Sequence, residues 1–248
     1  MLHELLHIYN QGRINPGEPA CLFAETLIFN EGWMLRGALK AWASSLQGSQ
    51  FGFTPFPAGV KVYSEAQLYT PFKARYRGDK ETESHTRVDG IAGDFEIAGK
   101  SGVTLYPDFR YLAVFEAKMY SPLSKGTTNA PHYNQLSRTA ACMIHTILKA
   151  EPKGDYAAHL VVLYPADNKA ICPDPYTQAY VEKQIAERAQ GYLSFNAHNR
   201  PSARFFNEWR DVLPRVQIQF LTWEDVLTEI DNDELSQFYE LCKKFNRA

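Results

Sequence analysis

The chain has 248 residues, of which 45% are hydrophobic and 22% charged, enough apolar matter to bury a full core and too much for a disordered polymer. A formal net charge of −2 at pH 7 excludes a coat protein that grips nucleic acid by charge alone, and no apolar run approaches the length of a membrane span. The four cysteines, Cys21, Cys142, Cys172 and Cys242, form no C-x-x-C pair, and the N-terminus carries acidic and polar residues where a signal peptide would be apolar, so a reduced, cytoplasmic protein is expected.

In chain order, His3-Glu4-Leu5-Leu6-His7 comes first and matches H-E-x-x-H, the helical pair of imidazoles that holds Zn²⁺ in metallopeptidases. Glu25 or Glu31 stands at a usable distance for a third ligand; the plain alternative is an amphipathic helix burying Leu2, Leu5 and Leu6, ended by the glycines and proline of Gln11 to Gly17. From Ala24 to Gln47 the spacing of Leu27, Met34, Leu35, Leu39 and Trp42 predicts a long helix. Val60 to Tyr69 alternates as a strand with Val60, Val62, Ala66 and Leu68 apolar, and Pro71 ends it. Thr86 to Leu105, broken by Gly93 and by Gly99-Lys100-Ser101-Gly102, predicts a pair of strands, and Tyr111 to Ala117 a buried central one. Ala130 to Lys149 predicts a helix, His159 to Tyr164 a buried strand, and Asp174 to Tyr192 a helix with Pro175 near its first turn. Arg204 to Leu213, the strand Val216 to Leu221, Trp223 to Ile230 and Glu234 to Phe245 complete a mixed α/β tail. Together these predict one α/β domain over residues 1–248, with a core of about 24–164 and a C-terminal α/β extension of about 165–248.

The chemistry concentrates at the end of the central strand. Glu116 and Lys118 stand two residues apart in Phe115-Glu116-Ala117-Lys118, so their side chains share a face, and buried strands seldom carry such charges without a partner. Upstream, Thr86-Arg87-Val88-Asp89-Gly90-Ile91 is a β-prone segment with one acid at its centre; Asp94 follows Gly93 in turn chemistry and is the alternative acid if the register differs. Downstream, Tyr133-Asn134-Gln135-Leu136-Ser137-Arg138 opens a helix that puts Gln135 and Arg138 on one face.

This order, Asp in one strand, Glu-x-Lys in the next, then a helix carrying Gln, resembles the PD-(D/E)XK nuclease superfamily of restriction-endonuclease-like fold. Asn30-Glu31-Gly32-Trp33-Met34-Leu35-Arg36 is similar to that superfamily's first-helix Glu motif, and Glu116 to Arg138 resembles a subset of restriction-type nucleases. The resemblance implies a mixed central sheet flanked by helices in the order αβββαβ. It implies a Mg²⁺ ion, with Mn²⁺ as the alternative, held by Asp89, Glu116 and the backbone carbonyl of Ala117, with Glu31 able to bind a second ion. It further implies Lys118 beside the attacking water or the transition state, Gln135 fixing Lys118 or the phosphate, and DNA as substrate in restriction or defence. One departure from the pattern is Val88, where the motif has proline. Arg36, Arg138, Lys73 and Arg75 are candidate phosphate contacts, and the arginines from Arg200 to Arg215 interleave with Phe205, Phe206 and Trp209 as either a base-stacking surface or core. His85 reads as a surface or hairpin residue, and the loop Ser121 to Pro131 as polar backbone suited to phosphate. Competing readings are the zinc metallopeptidase centred on His3 and His7 and a noncatalytic nucleic-acid-binding protein of the same fold. No membrane partner is expected, and a homodimer is left open.

Overall fold

The apolar run Tyr111–Ala117 is buried along its whole length because it lies in the middle of a seven-stranded mixed sheet covered by helices on both faces. The computed structural model describes residues 25–44, 60–83, 85–126, 129–194 and 204–247, with His3, Glu4, His7 and Pro57. Among these the strands are β1 (Lys61–Leu68), β2 (Thr86–Gly93), β3 (Phe95–Ala98), β4 (Gly102–Leu105), β5 (Tyr111–Ala117), β6 (Ala157–Tyr164) and β7 (Val216–Thr222). The helices are α1 (Glu31–Ala43), α2 (Gln135–Ala150), α3 (Gln178–Ser194), α4 (Phe205–Val212), α5 (Trp223–Ile230) and α6 (Asp233–Asn246).

The sheet order is β3-β4-β1-β2-β5-β6-β7. β2 is antiparallel to both β1 and β5, whereas β5, β6 and β7 run parallel. β1 therefore points the same way as β5. Alternation along β5 and β6 feeds two cores. Leu112, Val114, Leu160 and Val162 face α2, α3 and α4, and Ala113, Phe115, Val161 and Leu163 face α1, α5 and α6. The tail beyond residue 165 adds β7 to this sheet and α5 and α6 to the second core.

Several boundaries differ from the sequence expectations, each for a local reason. α1 starts at Glu31 instead of Ala24: Asn30 caps it by accepting the Trp33 N–H at 3.1 Å, while its amide donates to the carbonyls of Thr26 and Leu27. α2 starts at Gln135 instead of Ala130, with Asn134 accepting the Ser137 N–H at 2.8 Å. α3 starts at Gln178, after a turn closed by the Tyr176 N–H on the Pro173 carbonyl. The expected pair of strands between Thr86 and Leu105 is three, because the chain bends at Asp94. The Asp94 carboxylate accepts the N–H groups of Arg110 and Tyr111 at 2.8 and 3.2 Å, so this acid is a clamp within the fold.

One expected phosphate contact and much of the arginine-rich tail are otherwise engaged. Arg75 is buried against Asp79 at 2.9 Å and donates to the Tyr192 carbonyl. In the arginine-rich tail Phe205 and Trp209 are core, Arg210 stacks on Trp209, and Arg204 pairs with Glu208; Arg200 lies outside the described residues. Cys142, Cys172 and Cys242 are free thiols, and Cys21 lies outside the described residues. No described helix is long and apolar enough to cross a membrane.

Candidate active site

The ladder between β2 and β5 runs from Gly93 opposite Leu112 to Gly90 opposite Phe115 and then stops. The next two positions are Asp89 and Glu116. Where the following ladder bond would form, the Asp89 side chain substitutes for backbone and accepts the Ala117 N–H at 2.7 Å. Gly90 lets α1 pack closely over the strand that carries Asp89: a Cβ there would lie 2.8 Å from Leu39 Cδ1 and 2.9 Å from Leu35 Cδ2, so both leucine tips would have to shift.

Glu116 is 1% exposed, and both its oxygens are held from α2. Gln135 Nε2 donates to Oε2 at 2.8 Å and Thr139 Oγ1 donates to Oε1 at 2.7 Å. Gln135 is oriented in turn by the loop before it, since its Oε1 accepts the Ser124 N–H and its backbone N–H donates to the Ser124 carbonyl. Lys118 leaves the strand with its backbone fixed at both ends, its N–H on the Leu163 carbonyl at 2.8 Å and its carbonyl accepting from Trp223 Nε1 at 3.0 Å.

The electrostatics follow from this burial. Loss of water pushes the Glu116 carboxyl up to about 7, and the neighbouring Asp89 charge adds to the rise; Lys118, the Thr139 hydroxyl and Arg138 oppose it. Asp89 is also raised, first by burial and then by Glu65 and Glu31, against Lys118 and the Ala117 N–H. Asp89, Glu116 and Lys118 thus share one field, with Gln135 in direct contact, Arg138 within reach of Glu116, and Glu31, the first residue of α1, within reach of Asp89. Arg36 turns instead to β1, donating to Ser64 Oγ at 2.9 Å, pairing with Glu65 at 3.7 Å and stacking on Trp33.

Two residues here went unnoticed in the sequence. Thr139 follows Gln135 by one helical turn, which is the signal that could have found it. Glu65 sits on β1 across from Asp89, between the pairs Ser64–Gly90 and Ala66–Val88, with φ +57°, and among the described non-glycine residues it is alone in having positive φ inside a strand. This left-handed residue reverses the faces of β1: Val60 and Val62 pack on the α1 side, whereas Ala66 and Leu68 pack on the α2 side. The adjacent polar pair Ser64-Glu65 is the trace it leaves in the sequence.

The donor set suits a hard divalent ion. Two desolvated carboxylates face one lysine, so the cluster is short of positive charge, and each carboxylate oxygen has a second lone pair beyond the hydrogen bonds described. Among the described residues there is no group of three or more His, Cys, Asp or Glu side chains that could hold a metal ion. His3, Glu4 and His7 are helical and exposed, while Leu5 and Leu6 lie outside the described residues. Comparison of the chain with protein-family models, curated proteins and solved structures gives no match.

Proposed function

We propose that the protein is a Mg²⁺- or Mn²⁺-dependent nuclease of the PD-(D/E)XK type, hydrolysing phosphodiester bonds in DNA. The observation that carries this reading is the pairing of Asp89 and Glu116 at the parting of two adjacent strands, both raised by burial, with Lys118 as the largest opposing influence on each. The succession α1-β1-β2-β5-α2-β6, with β3 and β4 as an excursion, is compatible with the αβββαβ order of a restriction-endonuclease-like core and supports the same reading.

Asp89, Glu116 and the Ala117 carbonyl would hold the ion, with Glu31 adding a further carboxylate from α1. When bound, the ion supplies positive charge against the developing phosphorane and lowers the pKa of water. Gln135 and Thr139 keep Glu116 in one orientation by occupying one lone pair on each oxygen. Lys118 would orient the attacking water or neutralise the charge that develops as the new P–O bond forms and the old one breaks. Arg138, half-buried beside Glu116, would steady the phosphate, and Arg36 would contact the strand from the mouth of the site only after leaving Glu65. Restriction of, or defence against, foreign DNA is the cellular role this reading suggests.

The test is cleavage of linear and circular DNA in Mg²⁺ or Mn²⁺. Asp89→Asn and Lys118→Ala are each expected to lower the rate by about a hundredfold or more without changing thermal unfolding in the absence of metal by more than a few degrees. A folded wild type inert toward DNA in both metals, or a Lys118→Ala protein cleaving at the wild-type rate, overturns the reading.

A further inference from the structure

Tyr69 follows the last residue of β1 and is 38% exposed, one of four large hydrophobic side chains that are so among the described residues. Two ammonium groups from separate parts of the chain meet at its ring: Lys73 Nζ lies 5.8 Å and Lys149 Nζ 5.1 Å from the centroid. Neither is paired with a carboxylate among the described residues. Some other surface cations are paired, with Lys183 beside Glu187, Lys243 beside Glu240 and Arg204 beside Glu208. Both lysines are also felt at His145 on α2, which burial first, then Lys149 and Lys73, keep neutral down to about pH 4. Two ammonium groups and a neutral imidazole are therefore gathered in one place.

The arrangement is built into the fold. The Lys73 carbonyl accepts the Tyr192 hydroxyl at 2.6 Å, fixing the loop. A Cβ at Gly102 would lie 2.4 Å from the Tyr69 hydroxyl, so the glycine makes room for the ring. A cleft of about 370 Å³ opens beside it, lined by Tyr69, Lys73, Thr82, Glu83 and His85 among others. Its one carboxylate, Glu83, is committed to Arg188 and Thr70.

We infer that Lys73 and Lys149, held about the ring of Tyr69, anchor the phosphate backbone of the DNA whose scissile bond lies at Asp89 and Glu116. This inference rests on the nuclease reading and specifies where its substrate runs. β1 and β5 point the same way, so Tyr69 leaves the sheet on the edge where Lys118 leaves it. Tyr69 is four residues beyond Glu65, which stands across from Asp89, or about 13 Å along β1 at about 3.3 Å per residue. Lys149 is fourteen residues beyond Gln135 on α2, or about 21 Å at about 1.5 Å per residue. The anchor therefore meets phosphates about four to six base steps from the scissile bond. The tyrosine ring brings the two ammoniums together through cation–π contact, which offsets part of their mutual repulsion until phosphate arrives.

The test is equilibrium binding of a DNA duplex in chelator, where no cleavage occurs, across salt concentrations. For the doubly substituted Lys73→Ala/Lys149→Ala protein the slope of log affinity against log salt should be shallower than the wild type's by about two, against no change for Lys183→Ala. Tyr69→Phe should keep the wild-type slope and Tyr69→Ala should lose part of it. If wild type binds and cleaves through Lys118 but the double variant keeps the full slope, the anchor is refuted and the active-site reading survives. If inorganic phosphate binds in a Lys73-dependent way while the DNA slope stays unchanged, the occupant is a free anion and the inference fails. A wild type that neither binds nor cleaves DNA overturns both.

Discussion

Two regions of this molecule bury charge, and they do so in opposite ways. Beneath the segment after β1, Arg188 donates to Glu81 and Glu83 at 2.8 Å each and stacks over Phe72, while Arg75 holds the Asp79 carboxyl down to about 2. Burial pushes Glu83 up, but Arg188 works against it. Each acid there has a cation at hydrogen-bond distance, which fastens the segment to α3. At the end of β5 two acids share one field, opposed chiefly by Lys118, and both are raised. Compensated burial fastens a fold; uncompensated burial of like charges costs stability and is kept where chemistry needs it.

The contrast breaks most clearly at Arg188. Arg188→Ala leaves Glu83 buried without its cation and should cost about 3–5 kcal/mol in urea unfolding at pH 7. A loss below 1 kcal/mol would mean the cluster is no more than surface charge. At the other region the sign reverses. Folded Glu116 takes its proton at about 7 and unfolded Glu near its ordinary 4.5, so folding binds a proton across that window. The stability attached to it is fully present below pH 4.5 and falls as pH rises to 7. Glu116→Gln should therefore abolish cleavage yet raise stability at pH 8 by up to about 3 kcal/mol, with little gain at pH 4.5. Mg²⁺ should raise the melting temperature of wild type at pH 8 and not that of the variant; equal shifts in both would separate metal binding from Glu116.

The smallest effect is expected at Glu65, where a left-handed non-glycine residue costs about 1–2 kcal/mol. Glu65→Gly should gain about 1 kcal/mol by denaturant unfolding. A loss instead would show that the ion pair with Arg36 outweighs the strained backbone.

The legible parts of this chain were those where one physical signal dominates. The apolar run Tyr111 to Phe115, continued through Ala117, marks β5 at Tyr111–Ala117, and Glu116 and Lys118 stand out because charge is rare at such a place. Helix starts differ from the spacing where periodicity reaches past a cap: Asn30 and Asn134 end the pattern through side-chain bonds that hydrophobic spacing does not encode. The alternation of Val60, Val62, Ala66 and Leu68 reads as a single face, yet one left-handed residue sends the first two and the last two to different cores. Lys73 is a candidate phosphate contact in sequence but Lys149 reads as an ordinary surface lysine, since their meeting at Tyr69 depends on how α2 crosses the sheet.

The first turn of α1, which carries Glu31, is seated by the last helix of the chain: Phe29 packs on Phe238 and Phe245, and the Asn246 amide donates to the Phe29 carbonyl at 2.6 Å. Trp223 likewise closes on the carbonyl of Lys118. During synthesis, then, every acid and the lysine of the cleft emerge from the ribosome well before the residues that hold them in place. On the proposed reading, a nascent chain would carry the acids and lysine of the cleft before the α6 residues that seat the first turn of α1.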